Sequence, residues 1–284
     1  MAQVLKGKEV ADALVESMKK DVESLKAKGI TPTLGIVRVG ARDDDISYEK
    51  GATKRCEAVG VGIKNYALPA DASQEDLLKV IQEVNNDKGV HGVLLFRPLP
   101  KHINDGVIRA ALLPSKDIDG ITDGSLAGVF ANIPLGFPPC TAESCMAILA
   151  HYGFDPAGKR VTVVGRSLVI GRPVAMMLMH KNGTVTICHT KTKDLPSVIK
   201  EGEIVIIAAG VAESVGAESF RPGQVVIDVG IHMKEGGGMC GDVKFAEAEP
   251  VVQAITPVPG GVGSVTTCIT IQHVIQAAKA GAVQ

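Results

Sequence analysis

The stretch VTVVGRSLVIGRPVAMML (161–178) holds the residues best spaced for chemistry. A continuously apolar run ends at Gly165, a turn carries Arg166 and Ser167, and a helical pattern opens at Gly171–Pro173. Pro173 suits a first helical turn, where its missing N–H would have had no partner. Such a strand–turn–helix offers unpaired N–H groups and a partial positive charge to a phosphate. The spacing is Gly-x-Ser-x-x-x-Gly rather than Gly-x-Gly-x-x-Gly, so a tight turn without a ligand is the competing explanation. About 20 residues beyond the first glycine, a unit that takes NAD places an acid for the ribose 2′-hydroxyl. Here the region reads VTICHTKTKDL (185–195), with Thr190, Lys191 and Lys193 where that acid would stand. Hydroxyl and cationic groups, with Arg166 in the turn, suit a 2′-phosphate and favour NADP over NAD. Lys191 and Lys193 are equally well explained as solvated surface lysines. DVGI (228–231) ends another apolar run. Ligands of open α/β sheets sit at the C-terminal strand ends, so Ile231 is either a contact for a nicotinamide or a core residue.

These residues need a parallel sheet to position them, and the chain supplies its pattern. Short Val- and Ile-rich runs at 33–40, 91–98, 161–165, 184–189, 203–210 and 224–231 read as strands buried on both faces. Helical patterns at 8–28, 46–59, 74–86, 104–113, 142–152, 171–182 and 267–280 alternate with them, the mark of an α/β chain. The segment GVFANIPLGFPPCT (128–141), with three prolines and two glycines, reads as a loop between two lobes. The predicted division is 1–140 with the C-terminal helix 266–284 as one lobe, and 141–265 as a Rossmann-like lobe.

Composition narrows the partners. The formal net charge is −1, so no basic excess exists to neutralise a nucleic-acid backbone. No apolar run approaches the ~18–20 residues that span a bilayer, and the N-terminus lacks a signal-peptide stretch. Six scattered cysteines without a CxxC pair, and histidines without ligand spacing, read as free thiols in a reducing cytosol with no metal site.

Taken in order, KDIDGIT (116–122), PPCTAE (138–143), VVGRSLVIGRP (163–173), TICHTKT (186–192), VVIDVGI (225–231) and ITPVPGGVG (255–263) carry a family resemblance. Together they cover most of the chain, which resembles the methylenetetrahydrofolate dehydrogenase/cyclohydrolase family. The resemblance implies a two-lobe homodimer with tetrahydrofolate derivatives bound in the cleft between lobes. It implies hydride transfer from the one-carbon bridge of 5,10-methylenetetrahydrofolate to NADP, followed in most members by hydrolysis of the methenyl product. It places Gly165, Arg166, Ser167, Thr190 and Ile231 at the cofactor, with Arg166 and Thr190 at the 2′-phosphate, and the turn itself adds Gly171 as a cofactor-binding candidate. Asp119 matches the carboxylate that holds the pterin, and Pro259, Gly260, Gly261, Val262 and Gly263 match a loop lining the folate site. Tyr48 matches the family tyrosine of the folate site, in substrate binding and catalysis.

Three positions depart from the family pattern. The family carries Tyr-x-x-x-Lys on the helix near residue 50, the lysine serving hydrolysis, with a glutamine in a V-Q-L-P-L-P segment. Here ISYEKGATKRCEAVGV (46–61) puts Ala52 at the lysine position. A helix turns about 100° per residue, so Lys50 and Lys54 point away from the Tyr48–Ala52 face. LLFRPLP (94–100) puts Phe96 at the glutamine with Arg97 beside it, and Ser264 stands where the family has Pro. Hydride transfer needs approach and orientation, whereas hydrolysis needs a positioned acid/base group. The expectation is a dehydrogenase with weak or absent cyclohydrolase activity. The alternative is a bifunctional enzyme in which Arg97 or the Tyr48 hydroxyl stands in. Outside the family, the competing classes are another dinucleotide-dependent oxidoreductase and a nucleotide-binding protein without activity.

Overall fold

The computed structural model describes residues 1–282, the side chain of Asp44 excepted. In chain order the elements begin β1 (Gln3–Val4), α1 (Gly7–Lys26), β2 (Thr33–Val39), α2 (Asp43–Val59), β3 (Gly62–Leu68), α3 (Gln74–Asn86), β4 (Gly92–Leu95), α4 (Asp105–Ala111) and α5 (Asp123–Ala131). They continue α6 (Cys140–His151), β5 (Arg160–Val164), α7 (Gly171–His180), β6 (Thr184–Cys188), α8 (Leu195–Glu201), β7 (Ile204–Ile207) and β8 (Val225–Asp228). The last are β9 (His232–Met233), β10 (Met239–Cys240), α9 (Phe245–Ala248), β11 (Ala254–Ile255) and α10 (Gly263–Gly281). The chain divides into two compact units, one of residues 1–12 and 141–266, the other of 13–140 and 267 onward.

In the unit formed by 13–140 and 267 onward, three parallel strands stand in the order β3-β2-β4. Val37, Val39, Val93 and Leu95 of this sheet pack with Leu77, Ile81 and Val84 of α3 and Ile108 of α4. Burying each such aliphatic side chain contributes about 1.5–3 kcal/mol. A capping box starts α3: the Ser73 hydroxyl accepts from the Asp76 N–H and the Asp76 carboxylate accepts from the Ser73 N–H. Read from β2, the first of the three in the chain, the spatial order is second-first-third. Consecutive crossovers therefore leave the first strand in opposite directions, which opens a crevice between the C-terminal ends of β2 and β4.

The other unit carries a six-stranded sheet in the order β1-β11-β8-β7-β5-β6, with every pair parallel. Strand β7 is apolar throughout, and the buried spans of β5 and β8 are apolar but for Thr162 and Asp228, as suits strands covered on both faces. Val205, Ile207, Val226 and Ile255 pack with Ile199 of α8 and Ala248 of α9. Counted from β5, the order is second-first-third-fourth-fifth, a doubly wound arrangement whose reversal lies between β5 and β7.

The structure departs from the sequence-based layout in identifiable places. Residues 1–12 fall with 141–266 rather than with the N-terminal lobe, because β1 pairs with β11. The predicted inter-lobe loop is helical at both ends: α5 runs to Ala131 and α6 opens at Cys140. Helix α10 begins at Gly263, inside the Gly/Pro stretch, and the last two residues of the predicted C-terminal helix lie outside the described residues. Strand β3 was not expected, since Lys64 and Asn65 interrupt its apolar pattern at the sheet edge.

Candidate functional site

In each unit the predicted residues lie on the segments that follow the C-terminal ends of its strands. Leu95, the last residue of β4, pairs with Val37 of β2, and the Phe96 N–H donates to the Val37 carbonyl at 2.9 Å. Helix α2 leaves the end of β2 after a short turn. Its start is held by Arg42, whose guanidinium grips the buried Asp45 carboxylate through Nε at 2.9 Å and Nη2 at 2.7 Å. The same Nη2 reaches the Arg97 carbonyl at 3.3 Å, which ties the helix start to the segment after β4. Glu49 closes the arrangement with an ion pair to Arg38 of β2 at 2.9 Å. These ties bring the Tyr48 and Phe96 rings edge to face, with centroids 5.7 Å apart.

Tyr48 keeps part of its ring open, yet burial of its surroundings pushes its hydroxyl up to about 12, with Asp119 and Cys140 adding to the rise. The Thr267 and Thr270 hydroxyls of α10 bond to it and act in the opposite direction. Ala52 is buried, while Lys50 and Lys54 are exposed. Arg97 forks onto Asp105 through Nε and Nη2, and Arg109 binds the same carboxylate at 2.9 Å.

Asp119 extends from a segment that continues the sheet, because Asp117 bridges to Val93 in parallel. The two acids of this turn have separate work. Asp117 is fully buried and accepts from the Ile121 N–H, the Thr122 N–H and the Ser125 hydroxyl at 3.0, 2.7 and 2.6 Å. Asp119 is half-buried, and burial lifts its carboxyl to about 6. The Cys140 thiol bonds to it and lowers this value, Asp117 raises it, and His273 and Arg97 lower it. Cys140 also donates to the Ile118 carbonyl at 3.1 Å, and Thr270 donates to its sulfur. His273 is locked by Nδ1 donation to that carbonyl at 2.7 Å and by stacking on Phe137. Sequence reasoning missed Thr267, Thr270 and Cys140 as neighbours of the candidate site. The one signal for them was the PPCTAE motif, which contains Cys140.

In the other unit, Val164 pairs with Cys188, so the turns after β5 and β6 start side by side. Gly165 has φ +121° and lies where any Cβ would overlap the Ala208 carbonyl after β7. A Cβ on Gly171 would overlap the Gly165 backbone, so the first turn of α7 lies directly against the strand end. The Ser167 hydroxyl accepts from the Ile170 N–H at 3.1 Å and shapes the bend. Arg166, Arg172, Thr190, Lys191 and Lys193 are exposed around it. The turn after β6 is held by the His189 N–H donating to Thr192 Oγ1 at 2.9 Å. A glycine-lined bend on a helix start, ringed by cations, fits a dinucleotide phosphate and in particular a 2′-phosphate.

Ile231 is exposed, and a Cβ on Gly263 would come 3.0 Å from its Cδ1, so the β8 end and the start of α10 meet. Pro259, Gly260 and Gly263 are exposed, whereas Gly261 and Val262 face inward. The Gly260 carbonyl accepts from the Gly7 N–H at 2.8 Å, and a Cβ on Gly7 would overlap the Gly261 carbonyl. Close approach at this glycine pair is therefore to the chain's own N-terminal segment. Among the described residues, no group of three or more His, Cys, Asp or Glu could hold a metal ion.

Comparison with known proteins gives matches over nearly the whole chain. Residues 5–119 match the catalytic domain of tetrahydrofolate dehydrogenase/cyclohydrolase, and residues 139–282 match the NAD(P)-binding domain of the same family. The bifunctional protein FolD of Carboxydothermus hydrogenoformans is 50% identical over 281 residues, 98% of each chain. The crystal structure of the bifunctional methylenetetrahydrofolate dehydrogenase/cyclohydrolase FolD from Campylobacter jejuni superposes with a TM-score of 0.95 at 35% identity, covering 99% of each chain. The Trypanosoma brucei N5,N10-methylenetetrahydrofolate dehydrogenase-cyclohydrolase, complexed with NADP cofactor and inhibitor, gives a TM-score of 0.92 at 32% identity. It covers 100% of this chain and 99% of its own.

Proposed function

The chain belongs to the tetrahydrofolate dehydrogenase/cyclohydrolase family, and from that premise we propose that it oxidises 5,10-methylenetetrahydrofolate to the methenyl form with NADP and hydrolyses the product weakly or not at all. The observation that carries the second half is the Tyr48–Phe96 contact beside a buried Ala52. The two positions that the resemblance assigns to lysine and glutamine hold an alanine methyl and an aromatic ring.

Bound NADP supplies the hydride acceptor. The Gly165–Gly171 bend and the start of α7 hold its diphosphate, Arg166 and Thr190 hold its 2′-phosphate, and Ile231 lines the nicotinamide side. Asp119, ionised above about pH 6, accepts the paired N–H groups of the pterin's aminopyrimidinone edge. Tyr48 and Phe96 flank the folate with apolar faces and orient it. None of these contacts requires a protein base, since the hydride leaves carbon without a proton.

Hydrolysis differs, because water must attack the methenyl carbon while a proton moves. The two candidate stand-ins are poor proton acceptors. Tyr48, at about 12, stays protonated throughout the neutral range. The Arg97 guanidinium offers only N–H donors and is forked onto Asp105. Decay of methenyltetrahydrofolate with the purified protein is expected to follow the uncatalysed rate, while absorbance at 340 nm reports rapid NADP reduction with the methylene substrate. Enzyme-dependent decay matching the dehydrogenase turnover would overturn the monofunctional reading.

Cofactor choice is tested at the turn. Arg166→Ala is expected to lower kcat/KM for NADP about 10–100-fold, the loss of a hydrogen-bonded charge pair, and to leave the value for NAD within about twofold. Initial rates with both dinucleotides check this, and an equal loss for both would remove Arg166 from the 2′-phosphate. The same reading makes the chain a cytosolic homodimer. Sedimentation at micromolar concentration tests the dimer.

A further inference from the structure

Two buried carboxylates in the unit of residues 1–12 and 141–266 are unused by the chemistry above. Asp228 ends β8 and Asp242 follows β10, and both are almost fully covered. Asp242 accepts from the Gly210 N–H at Oδ2 and from the Val211 N–H at Oδ1, each at 3.0 Å. Its Oδ1 also lies 2.7 Å from His232 Nε2, which therefore donates. Asp228 accepts from the N–H groups of Gly230, Asp242 and Val243 at 3.2, 3.1 and 3.0 Å.

The backbone is shaped around this pair. A Cβ on Gly230 would overlap the Asp242 carboxyl, and one on Gly241 would overlap the Asp228 carboxyl. Neither glycine has a left-handed φ, so close approach to a carboxylate explains both. Burial lifts the Asp228 carboxyl to about 7, its three N–H partners pull the other way, and Asp242 adds to the rise. The network spans the loops that leave β7 and β8, neighbouring strands of the sheet. Ala208, after β7, lies against Gly165 of the phosphate bend, and Ile231 projects from the β8 loop.

We propose that Asp242 and His232 are positioning residues for the dinucleotide, clamping the Gly210–Val211 and Gly230–Ile231 loops at the separation its nicotinamide half requires. Asp242 bridges the loops, and His232, the half-buried member, keeps Asp242 turned toward Gly210 and Val211. The other charged groups facing this corner are Asp228 and the Lys234–Glu213 ion pair, at 2.7 Å, whose partners sit on the same two segments. Cys240 is the β-bridge partner of His232. The proposal rests on the cofactor reading above.

The test compares His232→Phe, which fills similar space without a donor, with His232→Gln, which restores one at the same reach. NADP affinity is measured by titration, kcat at saturating NADP, and amide hydrogen exchange at Gly210 and Val211 without cofactor. His232→Phe is expected to weaken NADP about tenfold, as the loss of one hydrogen bond to a charged group does, with kcat within about twofold. Exchange at Val211 should quicken, and His232→Gln should restore both readouts. Unchanged affinity or exchange in His232→Phe, or failure of His232→Gln to restore them, overturns the proposal. A wild-type protein that binds no NADP overturns the cofactor reading itself, and the clamp with it.

Discussion

Asp119→Asn is expected to lower kcat/KM for methylenetetrahydrofolate about 10²–10³-fold while leaving NADP affinity unchanged. The pterin edge offers two parallel N–H donors, and an ionised carboxylate meets both. Asparagine keeps the shape but turns one acceptor into a donor, so one N–H of the ligand keeps only a neutral acceptor while the other faces a donor and loses its partner. One charge-assisted hydrogen bond lost, at about 1.5–3 kcal/mol, and a second weakened to a neutral one, by about 1 kcal/mol, set that range. The pH dependence gives a second signature. Burial holds the Asp119 carboxyl at about 6, above the ordinary carboxylate value. The competent, ionised form is therefore complete above that pH and disappears as pH falls through it. Wild-type kcat/KM for folate should drop about tenfold per pH unit below about 6, and this limb should be missing in Asp119→Asn. Asp117→Asn is the contrast. Its three hydrogen bonds fold the turn, so its loss should appear as a lower melting temperature, with kcat/KM per folded molecule changed far less. Equal folate kcat/KM in Asp119→Asn and the wild type would remove Asp119 from the pterin site.

How much of this was legible in the sequence depends on how local each signal is. The buried strands β2, β5, β7 and β8 announce themselves, because strands covered on both faces are rich in Val and Ile with few polar interruptions. Strand β3 does not, since at the edge of its sheet Lys64 and Asn65 point to solvent at no cost. Strand β1 is two residues long and exists through its partner β11, which no local pattern reveals. Gly263 reads as a loop residue, yet it is the first residue of α10, where a missing side chain makes room for Ile231. The glycine-lined bend between β5 and α7 was readable because its parts lie within a few residues. Cys140, Thr267 and Thr270 reach Asp119 and Tyr48 only through the fold, across long sequence separations, and no spacing rule connects them. The Asp228–Asp242 pair was hidden for the same reason. Each acid alone looks like an ordinary turn former.

The double variant Ala52→Lys/Phe96→Gln is expected to raise methenyltetrahydrofolate hydrolysis about 10²-fold or more over the wild type, the scale of one positioned acid/base group. Position 52 lies four residues after Tyr48, on the same helix face, so a lysine there rises beside the Tyr48 ring. Ala52 alone offers no space for it, because its methyl is already buried. The Phe96 ring, edge-on to Tyr48, is the obstruction that can be removed, and glutamine there leaves room and adds a polar partner. Ala52→Lys by itself should therefore gain little and lose stability by burying a charge without a partner, an outcome visible in thermal melts. Desolvation and the Tyr48 hydroxyl nearby should keep the new amine available as a proton acceptor once it has space. Dehydrogenase activity should persist in both variants, since the proposed hydride transfer draws on Asp119 and the Gly165–Gly171 bend instead. If the double variant folds, reduces NADP and still leaves methenyl decay at the uncatalysed rate, then residues 52 and 96 are not what separates the two reactions in this chain.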